Sequence, residues 1–284
     1  MAIAEQRISV GSLEWFYREA TPLSGQSDQP PVVLLHGLVS QSYSWRGVLP
    51  TLAEQGLRAI APDWIGHGFS TRAEPRDFAY TPQAFVDALA GFLDALELER
   101  IHLVVQGFLG SHGLLYALAH PDRIERLVII NAPLSPAAKL PWKIRQLALP
   151  LAGEVMTQDP LLVDRTLEGG GPYQVDDDDL DIYRRPFLQE SVAGRALLAT
   201  LRKLQLAQTT ANIEAGLKTW QQPTLLLWGT ADPWLPISLA ETWVKALPHG
   251  TLTPLAEVGH YGQEDWAEKV ATAIAPFLRQ TITP

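Results

Sequence analysis

Two residues in the C-terminal part of the chain have the types that proton transfer requires. Asp232 lies in "WGTADPWLP" and His260 lies in "VGHYGQED", each directly after an apolar run that predicts a strand. An imidazole can take up a proton near neutral pH, and a carboxylate can orient it. The two are 28 residues apart, which leaves room for one helix and one strand between them. This spacing favours an acid-base pair.

Each of these residues also has a purely structural interpretation. An aspartate before a proline is a common turn former, because its side chain bonds to its own backbone. A single histidine after a glycine can be a buried structural residue with satisfied hydrogen bonds. Neither residue alone would identify a site, so the argument depends on the elements that position them.

Eight short apolar runs predict strands, and amphipathic segments alternate with them. Continuous runs such as "VVLL" and "LVII" are typical of parallel strands that are covered on both faces. The alternation predicts a doubly wound, mostly parallel α/β sheet. The strand candidates are "RISV", "LEWFYRE", "PVVLLH", "LRAIAP", "IHLVV", "RLVIIN", "PTLLLWG" and "TLTPL". Helical patterns cover 44–55, 82–98, 110–120, 236–247 and 263–279.

One region departs from this alternation, because 134–217 contains helical patterns and no strand signal. It includes the acidic run "VDDDDLD" and the segment "EGGGP", which we interpret as a hinge. The prediction is a helical cap at 134–217, inserted into a core formed by 1–133 and 218–284. A solvated helical appendage is the alternative.

Composition narrows the possible partners. The chain has 284 residues, 46% of them hydrophobic, which is sufficient for a large core. A net charge of −9 argues against nucleic acid as a partner. The absence of cysteine excludes disulfides and thiolate nucleophiles but leaves the compartment open. There is no signal-like start and no run long enough to span a membrane, so we expect a cytoplasmic location. No histidine spacing indicates a metal site, and we expect no cofactor.

Four motifs in chain order resemble the α/β-hydrolase superfamily. They are His36-Gly37 in "LLHGLVSQSYSW", Asp63 in "APDWIGHGFS", and the segments around Asp232 and His260. Among its branches, "HPDRIERLVIINAPL", "GHYGQED" and Gln106 are most similar to haloalkane dehalogenases and epoxide hydrolases. The resemblance implies a nucleophile at a strand-to-helix elbow, followed by an acid and a histidine. Asp232 and His260 match the acid and the base.

The resemblance also places the nucleophile, and that position holds glycine. Counting back 14 residues from Pro121, as the family spacing implies, gives Gly107, in the segment Val105-Gln106-Gly107-Phe108-Leu109. Once chemistry no longer needs the side chain, glycine relieves the strained conformation of an elbow.

Two alternatives to a natural glycine at the nucleophile position remain. In the first, Ser111 is the nucleophile, although it is more simply a helix hydroxyl bonded to the preceding turn. In the second, glycine at 107 is an engineered replacement. A single engineered change would not explain Leu109, where the family has a small residue, so natural drift is favoured.

The remaining family machinery implies two backbone donors and an apolar pocket. The resemblance assigns the oxyanion hole to the N–H groups of Leu38 and Phe108, which the loss of a side chain at 107 would leave intact. Water could then be activated by His260 and Asp232. The residues expected to bind substrate are His36, Trp64, Trp142 and Trp234. His67 is interpreted as a loop residue at the pocket rim, and Tyr173 and Tyr183 as surface residues.

Three functional hypotheses follow. The first is a hydrolase without a covalent intermediate, acting on a small apolar ester-like substrate through water. The second is a cofactor-free lyase that needs only a base and an oxyanion site. The third is a pseudoenzyme that binds an apolar molecule or a protein. Dehalogenation and epoxide opening are disfavoured, because both need an aspartate nucleophile.

Overall fold

The computed structural model describes residues 2–23 and 29–280, and eight strands form one sheet within them. All eight apolar runs of the sequence fall in these strands. The strands are β1 Ala4–Val10, β2 Leu13–Ala20, β3 Val32–Leu35, β4 Ala59–Pro62, β5 Ile101–Gln106, β6 Ile124–Ile130, β7 Thr224–Gly229 and β8 Gly250–Leu255.

The helices lie between the strands, as the alternation of the sequence predicts. In the described ranges they are α1 Val48–Glu54, α2 Pro82–Ala95, α3 Gly110–Ala119, α4 Trp142–Leu147, α5 Ala152–Met156, α6 Leu162–Leu167, α7 Asp177–Gln189, α8 Ser191–Lys203, α9 Leu206–Leu217, α10 Ser238–Val244, α11 Gly262–Asp265 and α12 Ala267–Arg279. None of these helices combines the length and the apolar character that crossing a bilayer requires.

The sheet is mostly parallel and has the order β1-β2-β4-β3-β5-β6-β7-β8. Only the pairs β1–β2 and β2–β4 are antiparallel. The central strands β3, β5 and β7 are buried along their whole length, as expected for parallel strands covered on both faces. The predicted fold class, an α/β-hydrolase fold, is therefore confirmed.

Side chains of each central strand alternate between two hydrophobic clusters. On β5, Val105 belongs to the larger cluster, with α2 and α3, whereas Val104 belongs to the smaller one, with α1 and α12. This alternation follows from the two-residue period of a strand. Because the strands are parallel, the loops after β3, β5, β6, β7 and β8 leave the same edge of the sheet, where the polar motifs of the sequence lie.

Helices α4 to α9 fill the segment between β6 and β7. Their inner faces extend the larger cluster through residues such as Ile144 and Leu197, and α9 packs on α3. The segment matches the region predicted as a helical insertion. Its role as a cap domain stays a prediction.

A polar cluster joins α7 to the core. The Arg46 guanidinium donates two hydrogen bonds to Glu264, at 2.6 and 2.8 Å, and also pairs with Asp179 of the acidic run. The Tyr43 hydroxyl donates to Asp179 at 2.7 Å, and the Tyr183 hydroxyl donates to Glu264. The interpretation of Tyr183 as a surface residue is therefore wrong. It is buried in this cluster, and burial raises its pKa.

Candidate active site

A sharp turn between β5 and α3 places Gly107 at the end of a central strand. The Gly107 N–H donates to the Ile130 carbonyl at 3.1 Å, which continues the ladder between β5 and β6. The Gly107 carbonyl accepts from the Gly110 N–H at 3.1 Å, which starts the helix. Residue 107 joins the two elements with φ +67°, a left-handed conformation that glycine adopts without strain.

Residue 107 faces the imidazole of His260. A Cβ at this position would lie 3.0 Å from His260 Nε2 and 3.3 Å from the Cα of Gly37. A side chain at 107 would therefore start in contact with the imidazole. This is the geometry that the elbow register leads one to expect for the nucleophile position.

Ser111 has a structural role in α3 and is not placed as a nucleophile. Its hydroxyl is fully buried inside α3 and donates to the Phe108 carbonyl at 2.7 Å. This bond to the preceding turn is common for serine in helices.

The glycines of α3, rather than residue 109, allow the helix to approach the sheet closely. A Cβ at Gly113 would lie 2.7 Å from atoms of both Leu35 and Val105, and a Cβ at Gly110 would lie 3.3 Å from Val105. Leu109 is fully buried just before the helix. The close contact expected of a small residue at 109 is thus made at 110 and 113.

The structure brings Asp232 and His260 together as a hydrogen-bonded pair. Asp232 follows β7 and His260 follows β8, and His260 Nδ1 lies 2.8 Å from Asp232 Oδ2. A carboxylate can only accept, so the proton resides on Nδ1 and the lone pair of Nε2 faces residue 107. The other carboxylate oxygen accepts from the backbone N–H groups of Trp234, at 2.7 Å, and Leu235, at 3.1 Å.

Asn131 completes the environment of the Asp232 carboxylate. Sequence reasoning did not assign Asn131 to the site. Its side-chain amide donates to Asp232 Oδ2 at 2.8 Å, while its carbonyl oxygen accepts from the Gly229 N–H at 2.8 Å. Asn131 directly follows β6 and has φ +41°, which asparagine tolerates better than most residues. The available signal was a polar residue at the end of a buried strand, next to the strand that carries Asp232.

The backbone of His260 is held from two sides. Gln106 Nε2 donates to the His260 carbonyl at 2.8 Å, and the His260 N–H donates to the Gly170 carbonyl at 2.6 Å. A Cβ at Gly170 would lie 2.7 Å from the ring of Tyr261, and a Cβ at Gly259 would lie 2.5 Å from the Cα of Gly171. The glycine segment that we interpreted as a hinge is therefore a tight contact that supports His260.

Leu38 and Phe108 occupy positions suited to an oxyanion hole. Both residues are buried, and neither backbone N–H donates to an acceptor among the residues that the structure describes. Buried N–H groups without a partner are rare, because each loses its hydration without compensation. The loop of Leu38 is fixed by a hydrogen bond from the Tyr261 hydroxyl to the Leu38 carbonyl, at 2.9 Å.

His36 supports that loop and has no nitrogen left for a substrate. Its Nε2 accepts from the Trp64 N–H at 3.1 Å, so its Nδ1 carries the proton and donates to the Gly37 carbonyl at 2.8 Å. Burial lowers its pKa and keeps the ring neutral, against the opposing charge of Asp63. The expectation that His36 binds substrate is wrong, because both ring nitrogens already have partners.

The three tryptophans expected in a pocket lie in different places. Trp234 lies beside the imidazole, with its ring centroid 4.7 Å from that of His260. Trp64 is fully buried in the core, packs on Trp15, and donates from its indole N–H to the His36 carbonyl. Trp142 lies on the surface, 64% exposed. The prediction that Trp64 and Trp142 bind substrate is wrong, because Trp64 is enclosed by core residues and Trp142 faces solvent.

Apolar and aromatic groups surround the reactive side of the imidazole. The ring of Phe108 stacks on His260 at 5.5 Å, and the Tyr261 ring lies edge-on at 5.0 Å. His67, expected at a loop rim, is instead buried, and its Nε2 lies 3.2 Å from the Thr200 hydroxyl of α8. His260 thus has a bound face toward Asp232 and a face toward Gly107 in a low-polarity environment.

Comparisons with known proteins agree with this architecture. A family profile described as the alpha/beta hydrolase fold matches residues 30–158. A cis-3-alkyl-4-alkyloxetan-2-one decarboxylase of Shewanella oneidensis is 31% identical over 89% of this chain and 83% of its own length. A 2-hydroxymuconate semialdehyde hydrolase of a Pseudomonas species is 30% identical over 88% of this chain and 87% of its own.

A solved structure has the same fold. The haloalkane dehalogenase DbeA of Bradyrhizobium elkani superposes with a TM-score of 0.84 at 26% identity, covering 98% of both chains.

Proposed function

The chain belongs to the α/β-hydrolase superfamily, near its haloalkane dehalogenase branch, and we propose that it hydrolyses a small apolar ester-like substrate without a covalent intermediate. In this proposal His260 acts as general base toward water, Asp232 orients it, and the Leu38 and Phe108 N–H groups stabilise the oxyanion. Gly107 places no side chain against Nε2 of the imidazole.

The proposed reaction balances without any further group. His260 Nε2 removes a proton from water, and the resulting hydroxide attacks the ester carbonyl carbon. The negative charge on the tetrahedral oxygen is held by the two backbone donors. Collapse of the intermediate breaks the bond to the alkoxide, which takes the proton from His260, and an acid and an alcohol leave.

The observation that carries the proposal is the intact base opposite an empty nucleophile position. His260 Nε2 lies 3.0 Å from where a Cβ at 107 would stand, while its Nδ1 is bonded to Asp232. An oriented, buried base with a free nitrogen has no evident use in a protein that only binds. In other hydrolases that lose the triad, the oxyanion hole and binding alone retain about 10³- to 10⁴-fold acceleration over water.

The names of two relatives support an ester-like substrate for the proposed reaction. One relative is named for an oxetan-2-one, which is a cyclic ester carrying alkyl groups, and another is a hydrolase of a semialdehyde. Halide displacement is not proposed, even though haloalkane dehalogenases match. Glycine at 107 supplies no nucleophile, and the side chains of Leu38 and Phe108 cannot donate to a leaving halide.

The test compares the purified chain with His260→Ala on a panel of short-chain apolar esters. We expect the variant to lose about 10²- to 10⁴-fold of the rate, the usual contribution of a general base. Single turnover in ¹⁸O-water should place the label in the acid in the first cycle, with no acyl-enzyme in the mass spectrum. Ser111→Ala is the matched control and should keep the rate. Equal background rates in wild type and His260→Ala would end the proposal.

A second candidate is a cofactor-free lyase, favoured by the name of the decarboxylase relative. An alkyl-substituted oxetan-2-one separates the candidates by product. A hydroxy acid indicates hydrolysis, whereas an alkene with carbon dioxide indicates the lyase. No turnover, together with saturable binding of the lactone, would support the binding protein instead.

A further inference from the structure

We propose that the outer surface of α4 and α5 binds the surface of an anionic lipid bilayer. This surface, called the cap patch below, consists of Trp142, Lys143, Arg145, Leu149, Leu151 and Val155. Its four apolar side chains are 51–81% exposed. The proposal does not depend on the proposed function.

The helical face of α4 separates the patch from the core. Ile144 and Leu147 are buried and point inward. Trp142 and Arg145 are exposed on α4, and Leu149, two residues after the helix ends, is exposed as well. An amphipathic segment of a soluble protein normally has polar residues on its outer side, so tryptophan and leucine there need an explanation.

The next segment extends the same outward apolar surface. Leu151 is 81% exposed and has φ +65°, a conformation that costs a leucine conformational energy. In α5, Gly153 is buried, since a Cβ there would lie 2.1 Å from the Leu147 carbonyl oxygen, and Val155 points outward. The chain thus exposes a leucine and a valine to solvent in α5 and at its start, and α5 packs against α4, which carries Trp142.

The charge of the patch indicates its partner. Lys139, Lys143 and Arg145 are exposed cations of this segment, while the chain as a whole carries −9. Glu154 is the acidic residue between 134 and 156, and it is paired with Arg202 at 2.8 Å. The Arg145 guanidinium lies 5.7 Å from the centroid of the Trp142 ring. Exposed tryptophan and leucine mixed with basic residues suit the boundary between anionic headgroups and acyl chains.

A second copy of the chain fits this surface less well. A symmetric dimer through the patch would place Lys143 and Arg145 of one copy near the same cations of the other. A bilayer containing acidic lipids instead attracts the cations and accepts the apolar side chains. The acidic remainder of the protein would be repelled, which orients the molecule with the patch toward the membrane.

The test measures co-sedimentation of the full chain with phosphatidylcholine vesicles, with and without phosphatidylglycerol. We expect binding to the vesicles containing phosphatidylglycerol and its loss at high salt, because the attraction is screened. Lys143→Ala should weaken binding about five-fold, the usual contribution of one cation near an acidic membrane. Leu151→Ser should also weaken binding at low salt, because it removes an exposed apolar side chain of the patch.

Leu188→Ser is the matched control, since Leu188 is an exposed leucine of α7 outside the patch. It should bind as the wild type does. The proposal is overturned if the wild type binds neither vesicle composition, or if Leu188→Ser and Leu151→Ser weaken binding equally. It is also overturned if sedimentation shows a dimer that Leu151→Ser dissociates, which would identify a second copy as the occupant.

Discussion

The two sides of the candidate site differ in how completely their polar groups are satisfied. On the side of the base, the Asp232 carboxylate accepts four hydrogen bonds, from His260, Asn131, Trp234 and Leu235. On the side of the elbow, Gly107 has no side chain, and the N–H groups of Leu38 and Phe108 find no acceptor among the described residues. One side is complete by itself, whereas the other leaves donors for a molecule that is not part of the protein.

This difference shows which parts of a triad depend on one another. The base and the acid are held by main-chain and amide contacts that do not involve residue 107. Loss of the nucleophile therefore leaves their geometry unchanged. The glycine at 107 also relieves a strained conformation, so the elbow keeps its shape and its backbone donors. Substitutions on either side test this difference.

The largest effect is expected on the side of the base. In Asp232→Asn, an amide that donates to His260 Nδ1 would force the imidazole proton onto Nε2, so the lone pair facing residue 107 is lost. We expect about 10²- to 10⁴-fold lower ester hydrolysis with an unchanged fold. Steady-state kinetics and circular dichroism measure this. Full activity in a folded Asp232→Asn protein would contradict the assignment of Asp232.

On the side of the elbow, Gly107→Ala should mainly reduce stability. The φ of +67° strains alanine, and its Cβ would crowd His260 at 3.0 Å, so we expect a loss of about 2 to 4 kcal/mol in the free energy of unfolding. Gly11→Ala is the control, because Gly11 has φ +60° with nothing within 4 Å. Urea unfolding of both variants separates strain from crowding. Equal losses would mean that residue 107 is not packed against the imidazole.

Asn131→Ala should change both the stability of the protein and its reaction rate. It leaves the buried Gly229 N–H without an acceptor and removes one donor from Asp232, which should cost about 1 to 3 kcal/mol of stability. We also expect a lower rate with little change in KM, because the residue positions the acid and does not touch the substrate. Urea unfolding and kinetics together test this. A variant that is less stable but fully active would limit Asn131 to a structural role.

The fourth prediction concerns stability at acid pH and the helix α3 that follows the elbow. His112 of α3 stacks on Phe85 at 4.5 Å without a hydrogen-bond partner, and burial lowers its pKa to about 3 from 6.5. Its folded pKa lies below the unfolded one, so its contribution is full above pH 6.5 and is lost as the pH falls toward 3. His112→Phe should flatten the loss of stability between these values.

Urea unfolding at pH 7 and pH 4.5 provides the measurement for His112→Phe. Burial raises the pKa of Asp265 to about 6. This shift acts in the opposite direction, because its contribution to stability is lost as the pH rises through 6. The difference between wild type and variant isolates His112, since Asp265 is common to both. An identical pH dependence in the two proteins would show that His112 is not the acid-sensitive group.

Particular elements show how far sequence reasoning reached. Strand runs such as "PVVLLH" and "PTLLLWG" were recognisable because a strand buried on both faces is apolar along its whole length. The meeting of Asp232 with His260 followed from their places after parallel strands, whose carboxyl ends share one edge.

The errors concern side chains whose surroundings come from distant segments. His36 accepts a hydrogen bond from the Trp64 N–H, and the Tyr183 hydroxyl donates one to Glu264. The glycines at 170 and 171 pack against the loop of His260. Trp142 faces solvent because α4 turns Ile144 and Leu147 inward instead. No local pattern reports such contacts.

The amino-acid sequence by itself determined the eight strands, the helical insertion, the glycine at the elbow and the residues that can move a proton. The strands and the insertion follow from periodicity and residue type, which are local, whereas the place of Gly107 at the elbow was implied by the family resemblance. Only the tertiary structure decided which polar atoms are already satisfied and which remain available. That outcome depends on distances between segments far apart in the chain. It separates Asn131 and Gln106, which hold the site, from Leu38 and Phe108, whose N–H groups have no acceptor in the part of the chain that the structure describes.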